Sequence, residues 1–212
     1  MRSADLLTVL RVMLVIAVAY LVIMKVYPLI SIVIFAIALA MDGLDGYAAL
    51  HEISNGAVSF GKYLLYARGK LSNSERESIK KLKQKVSAKY PYGPRIDVAG
   101  DRVVEYSLWA LFTFLHVIPL FIIIIIIIRH SFADALMASR GTSSKLKTKF
   151  ANIMYGSNLS RSGINIMKFV TFSYLILVYV SAYPIVIGYV LVALLVLYIL
   201  LRGAAEILEA FS

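Results

Sequence analysis

Four aspartates stand in two pairs at helical spacing. Asp42 and Asp45 are three positions apart, Asp97 and Asp101 four, so on helices each pair shares one face. Both pairs lie in or beside long apolar runs, where ionised groups are costly and usually functional. Glu105 and Asp134 join them there, making six of the chain's twelve acidic residues. Carboxylates gathered in a partly dehydrated place repel one another unless cations neutralise them. A donor set made only of oxygen selects Mg2+, Mn2+ or Ca2+ over zinc. Gly43 and Gly46 accompany the first pair, Gly93 and Gly100 the second. A residue without a Cβ lets a backbone or a bulky ligand come close, and beside the acids these glycines suggest a diphosphate bound against bare backbone.

The helices that carry these acids must be solvated by lipid. Of 212 residues, 60% are hydrophobic, with a mean hydropathy of +0.81, against roughly half apolar in a soluble domain. Apolar segments recur at the length needed to cross a bilayer, about 20 residues as a helix, without the alternation of β-barrel strands. The pattern is that of an all-α integral membrane protein, residues 1–212 forming one domain. Six transmembrane helices are expected near 6–26, 28–50, 96–116, 118–139, 164–182 and 184–203, turned at Tyr27-Pro28, His116 to Pro119 and Tyr183-Pro184. Ala17-Val18-Ala19 has the form of a signal-peptide cleavage site, but the apolar run continues to Met24, so the segment reads as a first span. The absence of cysteine removes disulfides and thiolate metal sites.

Charge orients the bundle. Residues 51–95 hold ten Lys/Arg against three Glu, and 129–168 hold seven against Asp134 alone. Cytoplasmic loops collect such cations, which puts both long loops, both termini and both aspartate pairs on the cytoplasmic side of a plasma membrane. The first loop is a cytoplasmic insertion, residues 51–92, between the second and third spans. Within it Ser72 to Tyr90 reads as an amphipathic helix, with Ser72 and Ser74 as capping candidates and Glu77/Lys81 at helical spacing. It is either a solvated helix near anionic headgroups or a lid or docking surface for an anionic substrate. The lipid bilayer is the expected surrounding, and nucleic acid is not an expected partner.

The acids and glycines resemble the signature of the CDP-alcohol phosphotransferases, D-x-x-D-G-x-x-A-R followed by G-x-x-x-D-x-x-x-D. Here it runs Asp42-Gly43-Leu44-Asp45-Gly46-Tyr47-Ala48-Ala49, then Gly93-Pro94-Arg95-Ile96-Asp97-Val98-Ala99-Gly100-Asp101, with seven of eight fixed positions matched. Leu6-Leu7-Thr8-Val9-Leu10-Arg11 is similar to the family's L-T-x-x-R opening, and Ile128-Arg129 precedes a polar face in the fourth span. Two departures stand out. Leu50 occupies the arginine position, and the 42 residues from His51 to Tyr92 replace a short spacer.

The resemblance implies a six-span enzyme holding two divalent cations, Mg2+ or Mn2+, on Asp42, Asp45, Asp97 and Asp101, with Asp101 also the general base. It implies transfer of a phosphatidyl-type group, diacyl- or archaeol-linked, from a CDP-lipid to a hydroxyl acceptor, releasing CMP, in phospholipid biosynthesis. Thr8, Arg11, Gly46, Ala49 and Gly93 are the expected CDP-lipid contacts, with Arg68 and Arg95 as replacements for the missing arginine. Arg129, Arg140, Lys147 and Arg161 are the expected holders of an acceptor phosphate through charge-assisted bonds. Ile128-Arg129, Gly141 and Lys145-Leu146-Lys147-Thr148 look similar to members using glycerol phosphate, which is preferred. Asp101-Arg102 is more like members using inositol phosphate. A homodimer is also implied. The rival from another class is a divalent-cation transporter, because acids and glycines in a helical bundle also line ion pathways. Acids gathered at one membrane face, without mirrored half-repeats, weigh against it.

Overall fold

Lipid offers no water to exposed backbone groups, so an apolar run that crosses a bilayer must bond within itself. All six apolar runs are helices. The computed structural model describes residues 3–140, 148–156 and 158–212. Its helices are α1 (Ser3–Ile23), α2 (Pro28–Ile53), α3 (Phe60–Ala67), α4 (Asn73–Lys89), α5 (Gly93–Phe114), α6 (Leu120–Arg140), α7 (Lys149–Ala151), α8 (Asn158–Ser181) and α9 (Ile185–Ala210), with a π-helical turn at Asn152–Gly156.

Among the described residues four stretches are long and apolar enough to cross a membrane: α1, α2, Ser162–Ser181 of α8, and α9. In their most apolar windows only 22% to 33% of residues are buried by protein. Leu6, Met13, Ile16, Leu29 and Val186 are among the large apolar side chains left exposed, a surface that lipid rather than water suits. The spans α5 and α6 expected from the sequence are helices too, but α5 carries Arg95, Asp97, Asp101, Arg102 and Glu105, and α6 carries Arg129 and Asp134. The three expected reversals are present, with Lys25, Tyr27, His116 and Ala182 in left-handed backbone, a conformation that turns a chain sharply at a helix end. The last helix does not stop at 203. It runs to Ala210, which brings Glu206 and Glu209 into the helix.

Packing divides the chain into two compact units, Met1–Val18 with Val33–Glu105, and Ala19–Ile32 with Tyr106–Ser212. The first unit contains the insertion, which is two helices rather than the one expected. In α4 the hydroxyl of Ser72 accepts from Glu75 N and donates to the Glu75 carboxylate, satisfying the first-turn N–H groups as a cap does. In α3 Ser59 caps Lys62 N, and Lys62 reaches Glu75 at 3.4 Å to tie the two helices. Their apolar faces close over the end of α2. Leu50 is 1% exposed, in a cluster with Ala4, Ala49, Ile79 and Val86. Glu52 fastens the edge, accepting from the Ser3 backbone and hydroxyl and from Tyr90 Oη at 2.8 Å.

In the second unit α9 packs against both α6 and α8. Trp109 stands edge-on to Phe172 at 4.9 Å, and Phe112 stacks on the same ring at 6.1 Å; such aromatic pairs add to the area they bury.

Leu50 fills a closed space, so Leu50→Ala is expected to cost about 2–5 kcal/mol. Leu50→Arg, which restores the residue of the resembled signature, is expected to release α3 and α4 altogether, since it buries an unpaired charge. Thermal melts in detergent and the rate of protease cleavage within 51–92 measure both; a stable, protease-resistant Leu50→Arg protein contradicts this packing.

Candidate active site

Three helices of the first unit meet around one guanidinium. Arg11 on α1 is 2% exposed. Its Nη1 donates to Asp42 Oδ1 on α2, and its Nη2 lies 2.7 Å from Asp101 Oδ1 on α5. The second contact lacks hydrogen-bond alignment, and Nε has no partner among the described residues. Charge rather than fork geometry therefore holds this arginine. Gly100 makes the approach possible: a Cβ there overlaps Thr8 Cγ2 and sits 3.2 Å from Arg11 Nη2. Thr8 is buried on the same face, its hydroxyl bonded back to the Ala4 carbonyl at 3.2 Å.

One carboxylate oxygen from each of Asp42, Asp97 and Asp101 lies within 4.8 Å of the other two. Asp97 Oδ1 is buried with no hydrogen-bond partner among the described residues. Hard oxygen donors at this separation, one of them unsatisfied, fit a divalent cation of the Mg2+ or Mn2+ type. Asp45 stands outside this trio. It lines a cavity of about 160 Å³ with Thr8, Gly46, Ala49, Gly93 and Asp97. The backbone N–H of Gly46 donates to its Oδ1. Five expected substrate contacts thus share this neighbourhood, four of them as walls of the cavity and Arg11 as the cation on Asp42 and Asp101.

Arg68 and Arg95 are placed differently. Arg68 ends α3 as a cap, Arg95 is exposed in the first turn of α5, and among the described residues no ion pair joins either to the aspartates. The residue that does approach from the insertion is Tyr63 on α3. A Cβ on Gly46 falls 2.7 Å from the Tyr63 hydroxyl, and the ring meets Tyr47 at 5.7 Å. Burial, followed by the charge of Asp45, pushes the Tyr63 phenol above its usual value. It stays a hydroxyl, able to donate.

The residues expected to hold an acceptor phosphate lie in the second unit or outside the described residues. Arg129 is buried on α6, giving Nε to the Ile199 carbonyl at 3.1 Å and Nη2 to Glu206 at 2.7 Å. Gly203 supplies its slot, since a Cβ there overlaps the arginine stem. Lys147 lies outside the described residues, as do the side chains of Arg140 and Arg161. Glu105 is buried and lies 3.7 Å from Arg102 one helical turn away.

Tyr63, Glu52, Glu206 and Glu209 carry weight that their sequence context does not announce. Glu209 is 1% exposed and accepts from the Thr148 backbone and hydroxyl, each at 2.8 Å. The only local signal for the two late glutamates is helical spacing beyond residue 203. For Tyr63 it is an aromatic, amphipathic run from Phe60 to Tyr66.

The family model for CDP-alcohol phosphatidyltransferase matches residues 1–63, the family the motifs resemble. The match spans α1 and α2 with Thr8, Arg11, Asp42, Asp45, Gly46 and Ala49, and ends inside α3. No curated protein and no solved structure matches the chain.

The two glycines Gly43 and Gly100 separate packing from helix propensity. Gly100→Ala forces α1 from α5 and is expected to destabilise by about 1–3 kcal/mol. A Cβ at Gly43 meets nothing within 4 Å, so Gly43→Ala is expected to be neutral or to stabilise by up to about 1 kcal/mol. Parallel thermal melts test the contrast; equal effects at both positions argue against the close approach of α1 and α5.

Proposed function

We propose that this chain is a six-span membrane enzyme that transfers a phosphatidyl-type group from a CDP-linked lipid to a small phosphorylated alcohol, releasing CMP. The observation that carries it is the aspartate trio from two helices, closed around Arg11 by Gly100, within the spacing of the signature whose first half the family model matches. The positive charge of the long loops supports a site on the cytoplasmic side of the plasma membrane. A homodimer belongs to the same reading by resemblance.

Asp42, Asp97 and Asp101, with Asp45 adjoining, would hold two divalent cations. When bound, these supply charge for the diphosphate and for the phosphate of the departing CMP. The chain's own residues do the rest. Gly46 and Gly93 leave bare backbone along the cavity wall, beside the small side chain of Ala49, where a diphosphate can lie close. Asp101 is the more accessible of the two carboxylates on Arg11, its side chain 43% exposed against 28% for Asp42. A hydroxyl can therefore reach it. Asp101 takes the acceptor proton as the hydroxyl oxygen attacks the lipid-side phosphorus. The new P–O bond forms to the acceptor, and the bond to the CMP oxygen breaks.

Glycerol phosphate is the first acceptor to test, with inositol phosphate as the alternative. The arginines that carry these two resemblances are both ion-paired, Arg129 with Glu206 and Arg102 with Glu105, so neither pairing separates them. The purified wild-type protein is expected to release CMP from a CDP-lipid only with Mg2+ or Mn2+ and an acceptor. Asp101→Asn is expected to lower that rate on the order of 10²–10⁴-fold while the protein still melts cooperatively. Undiminished CMP release by Asp101→Asn removes the proposed base. Divalent-cation flux in proteoliposomes without CMP release favours the transporter instead.

A further inference from the structure

Leu50 and the insertion answer to each other. Position 50 directly follows the Asp45-Gly46-Tyr47-Ala48-Ala49 turn of α2, yet its side chain points away from solvent into the core formed with Ile79 and Val86 of α4. An ionised side chain there would be buried without a partner. The same cluster seats α3, whose Tyr63 and Tyr66 pack against it. Ser59 caps α3, Lys62 ties it to Glu75 of α4, and Tyr90 at the end of α4 closes on Glu52 of α2 at 2.8 Å. Helix α3 presents Tyr63 to Gly46, with the hydroxyl oxygen 2.7 Å from where a Cβ would stand.

That hydroxyl makes no hydrogen bond among the described residues, although it is half-buried. Its ring is seated against Tyr47, which is itself edge-on to Phe60 at 5.3 Å. A phenol is a neutral donor at physiological pH. Tyr63 adjoins, through Gly46, the cavity assigned above to the diphosphate, of which Gly46 and Asp45 form walls. A free phenol hydroxyl resting on bare glycine backbone, next to carboxylates that would hold cations, is suited to an anionic oxygen rather than to an apolar chain.

We propose that Tyr63, delivered by the insertion, is a substrate-contacting residue whose hydroxyl donates to the diphosphate of the nucleotide-linked donor over Gly46. This rests on the donor class given under the proposed function. It assigns the insertion a part in binding: α4 consumes position 50 as packing, and α3 returns a neutral donor in place of a cation.

The experiment is titration of the full-length protein in detergent with CDP in the presence of Mg2+, using the wild type, Tyr63→Phe and Tyr66→Phe. Tyr63→Phe keeps the ring against Tyr47 and removes one donor to a charged acceptor. CDP binding is expected to weaken roughly tenfold to a hundredfold. The melting temperature and the KM for the acceptor are expected to stay put, and Tyr66→Phe is expected to bind as the wild type does. Unchanged CDP affinity in Tyr63→Phe, beside a wild type that binds, overturns this proposal and leaves the proposed function standing. A loss shared by Tyr66→Phe, or accompanied by a lowered melting temperature, makes Tyr63 a packing residue and also overturns it. A wild type that binds no CDP with Mg2+ overturns the donor class and this inference with it.

Discussion

A guanidinium cut off from water has to be neutralised where it lies. Arg11 meets this condition with carboxylates from two other helices, Asp42 of α2 and Asp101 of α5. Removing one partner of such a buried set leaves an uncompensated charge, typically at a cost of about 3–5 kcal/mol. The arrangement therefore acts on structure and chemistry together. It draws α1, α2 and α5 to one point, demands a glycine at position 100 and sets the separation of the carboxylates. One arginine cannot balance four aspartates, so the cluster retains a demand for further positive charge. That demand is what makes hard cations the natural complement of Asp97 and its neighbours.

The second unit meets a related problem with similar means. Arg129 interrupts an apolar helix and is accommodated by a carbonyl, a carboxylate and a glycine, Ile199, Glu206 and Gly203, all from α9. Glu209, one turn beyond Glu206, is satisfied by Thr148 just before α7. By sequence the basic residues of this region read as a surface for an acceptor phosphate. In the fold Arg129 is already matched, because a charge in an apolar helix that lacks a counter-charge is expensive. Helix α9 could supply the match only because it continues past 203 to Ala210.

The insertion changes how the signature is completed. In the resembled pattern a cation follows Ala49, while here Leu50 is packing material for α4. The two observations form one: a segment that covers the end of α2 must bury apolar surface against it, and position 50 lies inside that footprint. What the same segment brings to the turn is an uncharged hydroxyl group, Tyr63. The family model's match covers α1 and α2 and ends within α3 at residue 63.

The sequence alone determined the six long apolar helices and α4, the approximate reversals and the four aspartates, because these depend on local periodicity, hydropathy and spacing along one chain segment. Ser72 as a cap and Asp97/Asp101 on one face are legible for the same reason. Tertiary structure alone decided which charges meet. Arg11 and Asp101 are far apart in the chain, as are Arg129 and Glu206 or Glu52 and Ser3, and no local period encodes which faces two helices turn toward each other. It also decided that Asp42, Asp97 and Asp101 form the compact trio with Asp45 against Asp97, and that Leu50 is interior rather than a lost contact. Burial is a property of what covers a residue, and the cover came from α4, which no spacing around position 50 could reveal.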